Sequence, residues 1–241
     1  MYKLYLEKQE VIEIIISVLA ISFALGIAFA GVGSVLNYPK EFIIFMMPLL
    51  VTVGSGFILH EMAHKLVAIY YGAKARFRMW TQGLIFMLIT SAFGFLFAAP
   101  GAVYIQSAHI TKKQNGIISI AGPVLNLVLM GFFFILAFTF PVIQHFTFLG
   151  HLGTKLAGFG ISNGALNVWQ FGVAMNLILA MFNMIPAFPL DGSKVYGWNR
   201  FIWVGAILCL LGIALLVYPP IVLSWAILLL IVLVFSKLIF G

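Results

Sequence analysis

The sequence predicts an all-α polytopic membrane protein with about six transmembrane helices, and three observations favour this fold class. Of the 241 residues, 63% are hydrophobic and only 8% are charged. The mean hydropathy is +1.16, which is typical of an integral membrane protein and excludes an ordinary soluble domain. Apolar stretches long enough to cross a bilayer recur along the chain. Because no long polar segment separates them, residues 1–241 are expected to form a single integral membrane domain.

The apolar stretches define the expected elements in order. Transmembrane helices are expected at residues 12–34, 43–71, 117–140, 166–188, 201–217 and 220–239, and a further apolar stretch lies at 83–105. The first apolar run is longer than the core of a signal peptide and follows three glutamates, so we expect it to be retained. Tyr218, Pro219 and Pro220 predict a turn that makes residues 201–240 a C-terminal helix pair.

The basic residues predict the orientation in the membrane. The chain has a formal charge of +7. Because its basic residues are spread between the apolar stretches, as in membrane proteins, nucleic acid is not an expected partner. Lysine and arginine accumulate in cytoplasmic loops. If the stretch 83–105 enters the bilayer and returns, ten basic residues are cytoplasmic and only Lys40 and Lys155 are outside. The ten are Lys3, Lys8, Lys74, Arg76, Arg78, Lys112, Lys113, Lys194, Arg200 and Lys237.

We therefore expect residues 83–105 to be a re-entrant or interfacial segment, although hydropathy alone would make them an ordinary span. The N-terminus is then cytoplasmic, and the chain is expected to be a multi-pass protein of the cell membrane. Residues 99–105 contain a Pro-Gly turn signal followed by strand-forming residues, which favours a β-hairpin. An exposed strand edge there would pair with an extended peptide; alternatively, the hairpin only packs against the helices.

The pentapeptide His60-Glu61-Met-Ala-His64 lies inside the second apolar stretch. Ionisable side chains are costly within a membrane helix, so they call for a functional explanation. Residues four apart lie on one face of a helix, where two imidazoles can bind one zinc ion. The adjacent glutamate can activate a water molecule for attack. Alternatively, the two histidines bond only each other or neighbouring backbone.

A catalytic zinc site usually has a third protein ligand, and Asp191 is the best candidate. It is the only acidic residue after Glu61, and it follows a break that contains Pro186 and Pro189. Non-helical backbone is tolerated at membrane depth where it lines a cavity, so an aspartate there can point toward a metal. Basic residues follow both halves of the site, which places it nearer the cytoplasmic side. The alternative third ligands are His109, His145 and His151.

Three motifs, in this order and spacing, resemble those of the site-2 protease family of intramembrane zinc metalloproteases. The resemblance covers residues 43–193, which correspond to the three-helix catalytic core of that family. The motifs are His60-Glu61-Met-Ala-His64, Ala121-Gly122-Pro123-Val-Leu-Asn126 and Asn183-Met-Ile-Pro186-Ala-Phe-Pro189-Leu-Asp191-Gly192.

The resemblance implies a role for each motif residue. His60, His64 and Asp191 would bind one zinc ion per chain, and Glu61 would be the general base. Asn183 would assist near the scissile carbonyl, or else form an interhelical hydrogen bond, and Asn126 is expected to pack or hydrogen-bond.

The implied activity is hydrolysis of peptide bonds within or near transmembrane segments of membrane proteins, as in regulated intramembrane proteolysis. The expected partners are a transmembrane protein substrate and the lipid bilayer. Two other functions stay open: a metal-ion transporter, which would use the same ligands, and a catalytically silent family member that binds membrane helices.

Overall fold

The computed structural model describes residues 5–96, 100–106, 109–153 and 156–240. Lys3, Lys155 and positions 97–99 of the expected re-entrant segment therefore lie outside the described residues. The described chain is mostly helical. Its α-helices are α1 (Lys8–Ala30), α2 (Val32–Asn37), α3 (Pro39–Leu49), α4 (Ser55–Tyr70), α5 (Thr81–Ala92), α6 (Lys112–Thr139), α7 (Val168–Asn183), α8 (Asp191–Trp198), α9 (Arg200–Val217) and α10 (Pro219–Phe240).

The second expected span is one long helical segment with a local irregularity. A π-helical turn, Leu50–Gly54, joins α3 to α4, and together they run from Pro39 to Tyr70. Single π-helical turns often occur beside functional sites in helices. Here the turn directly precedes the helix that carries the two histidines.

Four helical segments of the described chain are long and apolar enough to cross a membrane: Lys8–Ala30, Pro39–Tyr70, Lys112–Thr139 and Arg200–Val217. They agree with a helical membrane protein. The expected count of six would also require α7 and α10 to cross. With 16 residues, α7 is about 24 Å long at about 1.5 Å per residue, less than the hydrocarbon thickness of about 30 Å. Six spans therefore stay a prediction.

The stretch 83–105 forms a helix and then a strand. The helix α5 has 12 residues, too few to cross a bilayer at about 1.5 Å per residue. Strand β2 (Gly101–Gln106) pairs antiparallel with β1 (Lys74–Met79), and Met79 lies opposite Gly101. The chain therefore leaves the end of β1 and returns to the same point.

Residues 141–165, which lie between two of the expected transmembrane helices, contain a small sheet. Its strands are β3 (Ile143–His145), β4 (Ile161–Ser162) and β5 (Ala165–Asn167), in the order β3-β5-β4, with two short 3₁₀ helices between β3 and β4. Asn163 and Gly164 join β4 to β5 with φ angles of 48° and 84°. Two residues at positive φ are typical of a tight hairpin turn, and Asn-Gly is the sequence signal for it.

The helix α6 is central to the part of the molecule that contains His60 and His64, since it packs against α4, α7 and α8. In a bilayer the lipid is as apolar as the side chains, so close packing replaces the hydrophobic effect as the source of helix association. Gly172 illustrates this on α7, because an added Cβ would lie 2.8 Å from the ring of Phe133 on α6.

Candidate active site

Three candidate ligands converge on one buried point. His60 and His64 lie one turn apart on α4, and their Nε2 atoms are 3.0 Å from each other. Asp191, the first residue of α8, brings its Oδ2 atom to 3.2 Å from His60 Nε2 and 3.0 Å from His64 Nε2. None of the three side chains is more than 9% exposed. Residues that are 131 positions apart in the sequence thus meet in the fold.

The donor set fits a zinc ion. The two imidazole nitrogens and the carboxylate oxygen form a nearly equilateral triangle with sides of 3.0–3.2 Å. Ligands at about 2.0–2.1 Å from a tetrahedral zinc ion are about 3.3 Å apart, which is close to these sides. Two histidines and one carboxylate are a known catalytic zinc set that leaves one position open. Among the described residues, this is the only group of histidine, cysteine and acidic side chains that could hold a metal.

The ring of His60 is oriented by an asparagine of α6. His60 Nδ1 lies 2.6 Å from Asn126 Oδ1, while Asn126 Nδ2 donates to the carbonyl oxygen of Gly56 at 3.2 Å. A carbonyl can only accept a hydrogen bond, so the amide nitrogen of Asn126 must face Gly56 and its oxygen must face the ring. His60 Nδ1 therefore carries the proton, and the lone pair of Nε2 is free for the metal.

A second asparagine supports the first. Asn126 Nδ2 also donates to Asn176 Oδ1 at 3.0 Å, and Asn176 Nδ2 donates to the carbonyls of Thr52 and Gly172. Both asparagines are completely buried. Sequence reasoning missed Asn176, although a lone amide in an apolar helix is itself a signal of a buried polar contact.

His64 is fixed in the same way by the backbone. Its Nδ1 lies 2.7 Å from the carbonyl oxygen of Ile118, which can only accept, so its Nε2 is also free for the metal. Ile118 and Asn126 share one face of α6 with Gly122, which stands between them. A Cβ atom on Gly122 would lie 2.6 Å from the Nε2 atoms of both histidines, so only glycine lets α6 approach the rings this closely.

Glu61 lies beside the ligands and contacts the sheet. Its carboxylate is buried, and Oε2 accepts a hydrogen bond from the backbone N–H of Val103 on β2 at 2.9 Å. This contact was not foreseen, because it joins residues 42 positions apart. The expected strand of residues 99–105 is thus held directly against the candidate general base.

A cavity of about 170 Å³ connects these groups. It is lined by the three candidate ligands, Glu61, the β2 residues from Gly101 to Val103 and Ile105, and the 189–191 turn. Asn183 also lines it, and its Nδ2 donates to the carbonyl of Leu179 in the same helix at 3.0 Å. Lys194, which sequence reasoning did not select, lies 3.3 Å from the second oxygen of Asp191.

The other histidines lie apart from this site. His109, His145 and His151 belong to no group in the described chain that could hold a metal. His151 hydrogen-bonds the carbonyl of Phe148, in the small-sheet region. If His60 and His64 bonded only each other, the position of Asp191, close to both rings, would have no explanation.

Comparison with known proteins agrees with the site. The family model of peptidase family M50 matches residues 48–203. The chain is 39% identical to "Putative zinc metalloprotease MJ0611" of Methanocaldococcus jannaschii, over 90% of this chain and 96% of that protein. It is 32% identical to "Putative zinc metalloprotease YwhC" of Bacillus subtilis, over 66% of this chain and 71% of that protein. No solved structure gives a significant match. The chain therefore belongs to peptidase family M50, the family of the site-2 proteases.

Proposed function

We propose that this protein is a zinc metalloendopeptidase of the cell membrane that cleaves peptide bonds within or near transmembrane segments of other membrane proteins. The zinc metalloprotease class follows from the family and from the named relatives. The observation that carries the proposal is the convergence of His60, His64 and Asp191 beside Glu61, on helices of an apolar chain. A protease site at such a place calls for substrates that are themselves in the membrane.

His60, His64 and Asp191 would hold one zinc ion. Bound zinc polarises the peptide carbonyl and makes water a stronger nucleophile at neutral pH. Glu61 would take the proton of the attacking water and deliver it to the leaving amine. The hydrogen bond from Val103 holds one oxygen of Glu61 in place and leaves the other for this transfer.

The free edge of β2 is the proposed docking site for the substrate backbone. The peptide carbonyls of a helical substrate are shielded, so the substrate must be extended before it is cut. In the antiparallel pair, the N–H of Val103 points away from β1, so those of Gly101 and Ile105 point the same way. These residues line the catalytic cavity. A substrate strand that pairs with this edge would bring its carbonyls to the metal site.

Asn183 is a proposed donor to the developing oxyanion. Its amide nitrogen has two hydrogens, and the bond to Leu179 uses only one. The second is available to a substrate carbonyl in the cavity that Asn183 lines.

The proposed topology has six spans and a cytoplasmic N-terminus, with the active site nearer the cytoplasmic side. The segment between β1 and β2 would enter the membrane and return, which the neighbouring positions of Met79 and Gly101 support. This arrangement puts every described basic residue except Lys40 and Lys65 in the cytoplasm, and Lys65 lies within α4.

The test compares wild type with Glu61→Gln, co-expressed with a reporter that carries one transmembrane helix between two epitope tags. Wild type should cut the reporter, and Glu61→Gln should cut at least about 100-fold more slowly, the usual effect of losing a general base. Bound zinc, measured on the purified proteins, should be the same in both, because Glu61 is not a ligand.

Cleavage of the reporter by Glu61→Gln at the wild-type rate would show that the general base is elsewhere. Zinc uptake into vesicles that contain the purified protein, without any cleavage, would instead favour the transporter. Reporter binding without cleavage or uptake would favour the silent family member.

A further inference from the structure

A buried ion pair joins the N-terminal helix to the catalytic helix. Lys65, the residue after His64, is 1% exposed, and its Nζ contacts both carboxylate oxygens of Glu10 on α1 at 2.6 and 2.7 Å. Glu10 is also 1% exposed. Lys65 additionally donates to the carbonyl of Tyr5 at 2.8 Å. Charges buried in a membrane protein are costly and are retained for a function more often than for stability.

Glu10 also contacts the sheet. Its Oε1 accepts a hydrogen bond from the backbone N–H of Phe77 on β1 at 2.9 Å. Phe77 lies directly opposite Val103 in the β1–β2 pair, and Val103 donates to Glu61. A continuous path therefore runs from Lys65 through Glu10, the two strands and back to α4 at Glu61. The path begins and ends on the catalytic helix, so Glu10 fixes the position of the sheet relative to that helix.

Glu13 repeats the contact one turn later, since its Oε2 accepts from the backbone N–H of Met79 at 3.0 Å. The outward N–H groups of β1 at Phe77 and Met79 are therefore occupied by carboxylates of α1. Exposed strand edges bind other strands readily, and charged groups along an edge prevent this. The β2 edge, on the side of Glu61, keeps the outward N–H groups of Gly101 and Ile105 for a peptide.

We infer that Glu10 is a positioning residue for peptide hydrolysis, which holds the β1–β2 sheet in register with Glu61 through its hydrogen bond to Phe77. This inference rests on the proposed protease function and adds the N-terminal helix to the machinery that places the substrate. Without this hydrogen bond, part of the free energy of substrate binding must be used to order the sheet. Substrate should therefore bind more weakly, and the main effect should be a higher KM.

The test uses two double variants that differ only in the acceptor. A single change at Glu10 would leave Lys65 buried and unpaired, so both variants also carry Lys65→Met. Glu10→Gln/Lys65→Met keeps an amide oxygen for Phe77, whereas Glu10→Met/Lys65→Met has no acceptor there. Both variants remove the two buried charges together and keep side chains of similar size, so no unpaired charge is left buried and both proteins should fold. Equal zinc content would verify this, since no ligand lies on α1.

With the tagged transmembrane reporter as substrate, the Met variant should show a KM about five- to tenfold above that of the Gln variant, the effect of one lost hydrogen bond. The kcat values should agree within about threefold. In zinc-loaded protein without substrate, the backbone amide of Val103 should exchange with deuterium faster in the Met variant. Glu7→Gln, at the N-cap of α1, is the control, because the Glu7–Arg76 pair is partly exposed and such pairs contribute little.

Equal KM values and equal exchange at Val103 in the two double variants would overturn the inference. If wild type and Glu7→Gln both fail to cut the reporter, the proposed function is wrong and the assignment of Glu10 to peptide hydrolysis is wrong with it. The exchange result would then show separately whether Glu10 holds the sheet.

Discussion

Gly122 shows how little space surrounds the metal site. It lies on the face of α6 that orients both histidines, and its missing side chain is the reason the helix can approach them. The sequence contained this glycine within a motif, but not the identity of its neighbours. Close packing of a small residue against an imidazole pair can be seen only once α4 and α6 are placed together.

Gly122→Ala is expected to reduce zinc binding strongly, because its Cβ would lie 2.6 Å from the Nε2 atoms of both candidate ligands, His60 and His64, and would displace the rings or the helix. Gly131→Ala is the matched control: it makes the same change on the same helix at a position where nothing lies within 4 Å of the added atom. The measurement is zinc content of purified protein after dialysis against a weak chelator. Equal zinc in the two variants would contradict the described packing.

The three candidate zinc ligands and the candidate general base could be predicted from the sequence. The residues that hold them in place could not. His60, Glu61 and His64 followed from helical spacing, and Asp191 from the scarcity of acids after Glu61. The structure brings these residues together, and their catalytic and ligand roles stay proposals. Asn176, Ile118 and Val103 escaped prediction because their roles depend on which helices and strands face each other, and a single sequence does not state this.

At the scale of elements, β2 has two different edges. One pairs with β1, whose far side is covered by the carboxylates of α1, and the other faces Glu61 and the catalytic cavity. The two edges of β2 therefore differ. Under the proposed function, an extended substrate would pair with the edge that faces Glu61.

Ile105→Pro tests this edge. Proline removes the outward N–H of Ile105 without breaking a bond to β1, so a bound substrate strand should lose one backbone hydrogen bond. The KM for the transmembrane reporter should rise about fivefold. Ile105→Val, which keeps the N–H, should have a KM close to that of wild type, and zinc content should be unchanged in both. A proline variant with the KM of the valine variant would argue that the substrate does not pair with β2.

Helix boundaries were predicted well where hydropathy changes sharply. The expected helix at 201–217 is observed as Arg200–Val217, and that at 117–140 as Lys112–Thr139. The expected helix at 166–188 ends early, at Asn183, because Pro186 and Pro189 interrupt it although the residues remain apolar. The π-helical turn at Leu50–Gly54 left no signal that hydropathy could detect, since it changes the hydrogen-bond pattern and not the composition.

At the scale of the whole molecule, the number of spans depends on the segment between β1 and β2. Its ends lie side by side, which a segment that crosses the membrane once could not achieve if both ends were in aqueous regions on opposite sides. From the distribution of basic residues, the sequence predicts that this segment enters the membrane and returns, and the strand pairing agrees with that prediction without testing the position of the membrane. Composition alone therefore predicts the membrane class, but it does not predict which strands pair.

Cysteine labelling tests the topology in a Cys209→Ser background, which removes the only native cysteine. Single cysteines at Lys74, Lys113 and Gly150 would be exposed to a membrane-impermeant maleimide. Lys74→Cys and Lys113→Cys should react only from the cytoplasmic side, and Gly150→Cys only from the outside. Reaction of Lys74→Cys and Lys113→Cys from opposite sides would mean that the segment between them crosses the bilayer.

Asp191 lies far in the sequence from the other two candidate zinc ligands, His60 and His64, and this has a consequence for biosynthesis. A ribosome delivers His60 and His64 early, but Asp191 leaves it only after α4, α6 and α7 have been made. Until then the nascent chain has two donors of the three and no complete zinc site. The complete site therefore cannot form before residue 191 has been synthesised, when α1 to α7 have already been made.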